Sequence, residues 1–440
     1  MSVVLLCLDG ASLAQASRVS KALRAVVTVK HWESSASRAR WLHRPTPSPG
    51  SFASREEATT YWRWWSRLAT EAPTGAPYGR IVVIGGNEIS SVQASRAVEA
   101  FSDVRNGDTF TWEALPSMSV PRSAAGATAD RFGNLYALGG WNFEGAQASC
   151  ERLVHPVATA GSSLSAGDDG GRGPSRVGSG VFPAGLPSAL FQASASSPPR
   201  LAVADATAPG SWNWETLPPL RRRRCFLGAA FEPDGALLAI GGGTGPYRND
   251  SAFESVEVLL PGAGDWVPGP SMVQARCGHG VTAVPDGKVF AVGGYGGNLS
   301  YLSSAEVLDP LAQRWTPLAS MKRRRTGVAV AAGPDGLIYA VGGSSDGSHG
   351  LTSVETFDPR EGKWSVSRCG GGMVFGRAFC CASFAPSGCL YVVGGMTAST
   401  GVMRTVEVFD PRSERWRVEE RFGSGDGGRA LTDASLVFQP

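Results

Sequence analysis

Along most of the chain, apolar residues come in runs of four or five, closed by a pair of glycines and parted by Pro, Asp and Gly turns. Residues 327–343 are the clearest case: Gly-Val-Ala-Val-Ala-Ala, a turn at Pro334-Asp335-Gly336, then Leu-Ile-Tyr-Ala-Val and Gly342-Gly343. Runs of this length, split by turn residues, predict short strands rather than helices. The glycine pair recurs at Gly85, Gly139, Gly241, Gly293, Gly342 and Gly394, so the intervals are 54, 102, 52, 49 and 52 residues. A third strand follows most pairs, as in Val98-Glu99-Ala100-Phe101 and Val354-Glu355-Thr356-Phe357. A Trp then marks a fourth, at Trp112, Trp214, Trp266, Trp315, Trp364 and Trp416.

A four-stranded unit repeated about every 50 residues resembles the kelch repeat, and the likeness runs over residues 79–440. The resemblance implies an all-β fold, a kelch β-propeller of radially packed sheets. An isolated four-stranded sheet has two apolar faces, and packing against neighbours buries both. The blade count turns on the 102-residue interval. An Arg precedes each first strand, at Arg122, Arg224, Arg276, Arg325, Arg377 and Arg429, and Arg176 fits that register. Ala193-Ser194 then stands where a glycine pair belongs, Leu201–Asp205 supplies a third strand, and Trp214 opens a fourth. This reading gives seven blades, the third decayed; the alternative is six blades with a long insertion at 156–200. Residues 157–200 read as degenerate and flexible, with 157–180 replacing the fourth strand of the second blade. The first unit begins at Ile81 without a first strand, and the chain ends in one, so the C-terminal strand is expected to close the first blade.

Residues 1–78 carry no such repeat. Ser12-Leu13-Ala14-Gln15 is a capping box with Leu13, Ala16, Val19, Leu23 and Val26 on one helical face. Residues 45–78 read as a Pro/Ser linker and an amphipathic helix that starts at Ser54 and stops before Pro73. The run Leu5-Leu6-Cys7-Leu8-Asp9, with Ser12-Leu13, Val19-Ser20-Lys21 and the distal Trp32, resembles the later part of an F-box within residues 1–44. The family's opening Leu-Pro segment is not found upstream of Leu5. The resemblance implies that Leu5, Leu8, Leu13, Val19 and Leu23 contact the small adaptor of a cullin–RING ubiquitin ligase. A plain helical cap, a signal peptide and a transit peptide are the alternatives; a six-residue apolar core ended by Asp9 argues against the second, and Glu33, Glu56 and Glu57 against the third.

Charge and chemistry narrow the function. A net charge of +3 carries no strongly basic nucleic-acid footprint. No apolar run reaches the roughly 18 residues that a membrane helix needs. Eight scattered cysteines show no zinc spacing and read as reduced thiols, which fits a cytoplasmic or nuclear protein. His155, His279 and His349 do not cluster as copper ligands, so no metal, cofactor or catalytic residue is assigned. The recurring glutamates of the third strands read as backbone-bonding repeat residues. The arginines leave two readings. Arg122, Arg176, Arg224, Arg276, Arg325, Arg377 and Arg429 would form a cationic ring at one channel mouth, where the kelch resemblance implies an acidic protein segment as partner. Alternatively they bond backbone carbonyls between blades. Arg221–Arg224 and Lys322–Arg325 add cations on the same face. The expected function is non-catalytic protein recognition, specifically as substrate receptor of an F-box-type ligase; a cytoskeletal kelch scaffold and a propeller enzyme acting on sugars are the alternatives.

Overall fold

A computed structural model describes residues 80–88, 93–102, 112–130, 132–154, 212–245, 252–297, 300–366, 371–385, 387–399, 401–419 and 431–439. The N-terminal expectations, including the F-box-like contacts, lie outside these residues. All the elements described are strands.

Six four-stranded antiparallel sheets form six blades. The second strand of each later blade, such as Leu237–Ile240, Val289–Val292, Ile338–Val341 and Leu390–Val393, is buried along its whole length. Sheets packed on both faces require this, which is why these strands read as unbroken apolar runs rather than alternating ones. Outer strands such as Lys363–Val366 and Arg415–Glu419 are mostly exposed or half-buried. Each core cluster joins side chains of neighbouring blades: Ala291 and Leu308 of one pack with Leu238 and Val256 of the next. The indole N–H of the outer-strand Trp crosses to the preceding blade, Trp266 to the Pro218 carbonyl at 2.8 Å and Trp315 to that of Pro270 at 2.9 Å.

The glycine doublets exist because another blade passes over them. A Cβ on Gly342 (φ +60) would stand 2.4 Å from the Arg377 carbonyl oxygen, and the Gly343 N–H donates to that same oxygen at 2.9 Å.

Closure is visible at the hub. The first strands touch in a closed cycle. Just before each, one residue takes a left-handed backbone conformation: Ala124, Phe226, Gly278, Gly327, Phe379 and Asp433. Each of these six donates its N–H to the carbonyl of the one before it. Phe226 reaches Ala124 at 2.7 Å, Gly278 reaches Phe226 at 2.9 Å, and Gly327 reaches Gly278 at 2.8 Å. Phe379 then reaches Gly327 at 2.8 Å, Asp433 reaches Phe379 at 3.1 Å, and Ala124 reaches Asp433 at 2.7 Å. The ring repays the strain of positive φ at Phe226 and Phe379, which an isolated chain would avoid. The C-terminal strand Ser435–Gln439 pairs with Arg80–Ile84 in register Ile84 to Ser435, closing the first blade as expected.

The count of seven is corrected to six. The hub cycle passes from Ala124 directly to Phe226, with no member between them. Trp214 belongs to the outer strand of the second blade, Asn213–Leu217, where it pairs with Leu153. That blade therefore keeps its fourth strand, and the long interval separates its third strand from its fourth. Arg176, Ala193-Ser194 and Leu201–Asp205 lie outside the described residues. The insertion is about as long as one repeat, so arithmetic on intervals imitates a missing unit.

Candidate partner-binding face

The loop entering each later blade has one plan. A buried apolar residue and a buried Arg bracket three positions: Met118 and Arg122, Leu220 and Arg224, Met272 and Arg276, Met321 and Arg325, Met373 and Arg377. All five arginines are 0% exposed. The Nη1 of Arg325 donates to the carbonyls of Gly342 at 2.6 Å and Ser353 at 2.8 Å. Its Nη2 donates to Ser353 Oγ at 2.9 Å and to Glu355 Oε1 at 3.0 Å. The other Glu355 oxygen, Oε2, accepts the backbone N–H of Lys322 at 2.7 Å, and Oε1 also accepts that of Arg323 at 3.1 Å. The same pairing joins Arg122 to Glu151, Arg224 to Glu257, Arg276 to Glu306 and Arg377 to Glu407. Burial pulls the guanidinium pKa of Arg224, Arg276 and Arg325 down, and the adjacent glutamate opposes that shift.

The cationic ring of Arg122, Arg224, Arg276, Arg325 and Arg377 is therefore corrected. These guanidiniums donate to the third-strand glutamate and to carbonyls and hydroxyls of their own blade, only the Arg377 Nε lacking a partner, and none reaches solvent. The carbonyl-bonding alternative is close to what is found, except that the carbonyls are not those of a neighbouring blade. Arg176 and Arg429 lie outside the described residues. The hub register, however, places Leu431, two residues before Asp433, at the arginine position of the closing strand. Nor is the hub entrance open at this level. Phe226 and Phe379, from opposite blades, meet there edge to face with ring centroids 6.0 Å apart.

The same pins give the face its accessible chemistry. With the first two backbone N–H groups of each loop held by glutamate, side chains between the brackets turn outward. Arg221, Arg222 and Arg223 are exposed before the third blade, and Lys322, Arg323 and Arg324 before the fifth. Between and after them the equivalent positions carry no cation and open on an exposed valine: Val273 is 66% exposed and Val374 57% exposed. Cationic and uncharged loops thus alternate over four successive blades. Arg222 lies over the Phe253 ring at 3.9 Å, which steadies its side chain. The sequence signal that separates the two kinds of Arg is the apolar residue four positions before the buried one.

The remaining candidates do not assemble. Among the described residues no cluster of His, Cys, Asp and Glu suits a metal ion. His279 is buried beside the hub with no hydrogen-bond partner on either ring nitrogen, and burial drives its pKa down to about 3. His349 sits in an exposed loop with Asp346 Oδ2 2.7 Å from its Nδ1. Cys150, Cys225, Cys277, Cys380, Cys381 and Cys389 are buried free thiols.

No curated protein matches the chain. One solved structure, titled "Structure of YjhT", superposes with a TM-score of 0.51 at 14% identity, covering 77% of this chain and 96% of that one. At that identity the likeness speaks for the fold alone. The kelch motif matches residues 275–322, 324–368 and 377–421, which are the fourth, fifth and sixth blades. These three motifs, set in a closed ring of six four-stranded sheets, support a kelch-repeat β-propeller family for this chain.

Proposed function

We propose that the protein is a non-catalytic recognition module whose loop face takes an acidic segment of a protein partner. The observation that carries this reading is the outward projection of Arg221–Arg223 and Lys322–Arg324 from backbones pinned by Glu257 and Glu355. Because the backbone is already fixed, the loop itself needs no ordering when its exposed guanidiniums meet carboxylates, and the cations accelerate encounter with an anionic partner. The test is binding of a fluorescent poly-glutamate peptide at low salt. The triple change Arg221→Glu, Arg222→Glu and Arg223→Glu should weaken it about tenfold or more, because it sets like charges opposite one another. Unchanged binding would reject this face.

The finer reading is a substrate receptor of an F-box-type ubiquitin ligase, acting in cytoplasm or nucleus. It rests on the likeness at Leu5, Leu8, Leu13, Val19 and Leu23. Affinity capture with the full chain should recover the ligase adaptor and cullin, and capture with a chain lacking residues 1–50 should lose both. Recovery of neither by the full chain would reject the ligase role while leaving the loop face standing.

A further inference from the structure

Beside the first cationic loop, the second blade raises a short hairpin in which Trp141 pairs with Ala146 and Asn142 with Gly145. The buried Asn142 locks its turn: its Oδ1 accepts the Glu144 N–H at 2.9 Å and the Gln147 Nε2 at 2.7 Å. Gln147 Nε2 also donates to the Gly145 carbonyl at 2.9 Å. The Gln147 carbonyl in turn accepts the N–H of Arg224 at 3.0 Å, so hairpin and cationic loop are tied as one piece. The tip residue Phe143 is 88% exposed on this rigid support. A large apolar side chain held out in this way is what a docking surface presents.

Between the hairpin and the third blade lies a cavity of about 310 Å³ lined by Trp141, Glu144, Gly145, Ala146, Arg223 and Thr244. Its size is at the low end for ligand clefts, enough for one large side chain. Two glycines flank the Trp141 ring: a Cβ on Gly245 would stand 3.2 Å from its Cζ3, and one on Gly145 would stand 3.9 Å from it. The lining is dipolar, with an apolar ring, a cation on the side of Arg221–Arg223, and a carboxylate on the hairpin. An apolar guest makes no use of Glu144, whose carboxylate is exposed. A basic guest suits Trp141 and Glu144 but meets three exposed arginines.

We propose that this cavity is the anchor site for a Tyr or Trp side chain standing next to a carboxylate in the partner's acidic segment. The guest ring packs on Trp141, its O–H or N–H donates to Glu144, and the neighbouring carboxylate meets Arg223. Glu144 thereby fixes the direction in which the segment lies. The inference rests on the acidic-segment reading and adds the residue that gives it specificity.

The test is selection of phage-displayed random 12-residue peptides on the full chain, followed by affinity measurement on the synthesised winners. The expected winners carry Tyr or Trp beside Asp or Glu. Thr244→Trp, a change at an exposed position that fills the cavity, should weaken them at least about tenfold without moving the melting temperature. Glu144→Gln should reduce the preference for Tyr over Phe. Acidic winners without an aromatic residue, or aromatic winners indifferent to Thr244→Trp, would overturn the anchor site and leave the cationic face intact. Winners that are not acidic, or none at all, would overturn both.

Discussion

Arg223 and Arg224 are neighbours in the chain and opposites in the molecule. Arg224 is 0% exposed, and its guanidinium meets the Gly241 carbonyl and Glu257. Arg223 is exposed and borders the cavity of the second blade. The same contrast separates Arg325 from Arg324. The buried member holds the loop through its glutamate, and the exposed one is what the loop displays. A repeat can therefore vary its display without disturbing its anchor, which explains how Val273 or Val374 stands where another blade carries a cation.

The largest effect should come from breaking an anchor. Glu407→Ala would strand the buried Arg377 and also release the backbone N–H groups of Val374 and Phe375. A loss of about 3–5 kcal/mol is expected in denaturant unfolding, as for other buried pairs with one partner removed. Smaller effects should come from buried polar groups that have no such glutamate. His279 occupies a position held elsewhere by Leu227, Val328 and Cys380, so His279→Leu should add about 1–2 kcal/mol by removing an unsatisfied imidazole. Burial holds its folded pKa at about 3, below the ordinary imidazole value of 6.5. As pH falls from about 6.5 toward 3 the unfolded chain gains a proton that the folded chain refuses, so wild-type stability declines there, and His279→Leu should lessen that decline.

Asp433 gives the opposite slope. Burial at the hub raises its carboxyl to about 7, against the opposing hydrogen bond from Asn87. Between about pH 4 and 7 the folded chain keeps a proton that the unfolded chain has lost, so this group's contribution to stability falls as pH rises through that window. Asp433→Asn should flatten the fall, as read from melting temperature against pH. A profile unchanged by the substitution would remove Asp433 from the seam's energetics.

Much of this was legible in the chain. The doublets gave the strands, and the unpaired last strand gave the closure, because a blade lacking its first strand needs one from elsewhere. The blade count was misread at Trp214. One tryptophan per blade was already a count of six, and it outranks interval arithmetic because the indoles of Trp214, Trp266, Trp315 and Trp364 each bond across to the preceding blade. The arginines were found, but their direction was not. A recurring Arg in a loop and a recurring Glu in a strand about 30 residues on are far apart in the chain, and nothing local says that they meet. What a sequence can show is the bracket of an apolar residue and an Arg around three variable positions, whose side chains are the ones the fold leaves facing outward. The cavity at Trp141 had no sequence signal, since it depends on Thr244 and Arg223 of another blade.

Melting Arg325→Ala and Arg324→Ala side by side tests most directly whether the buried arginine holds the loop and the exposed one does not. The first should lose several degrees or more, of the order expected for a buried charge left unpaired, and the second should match the wild type. Equal melting temperatures for the two variants would contradict the division of these loops into anchor and display.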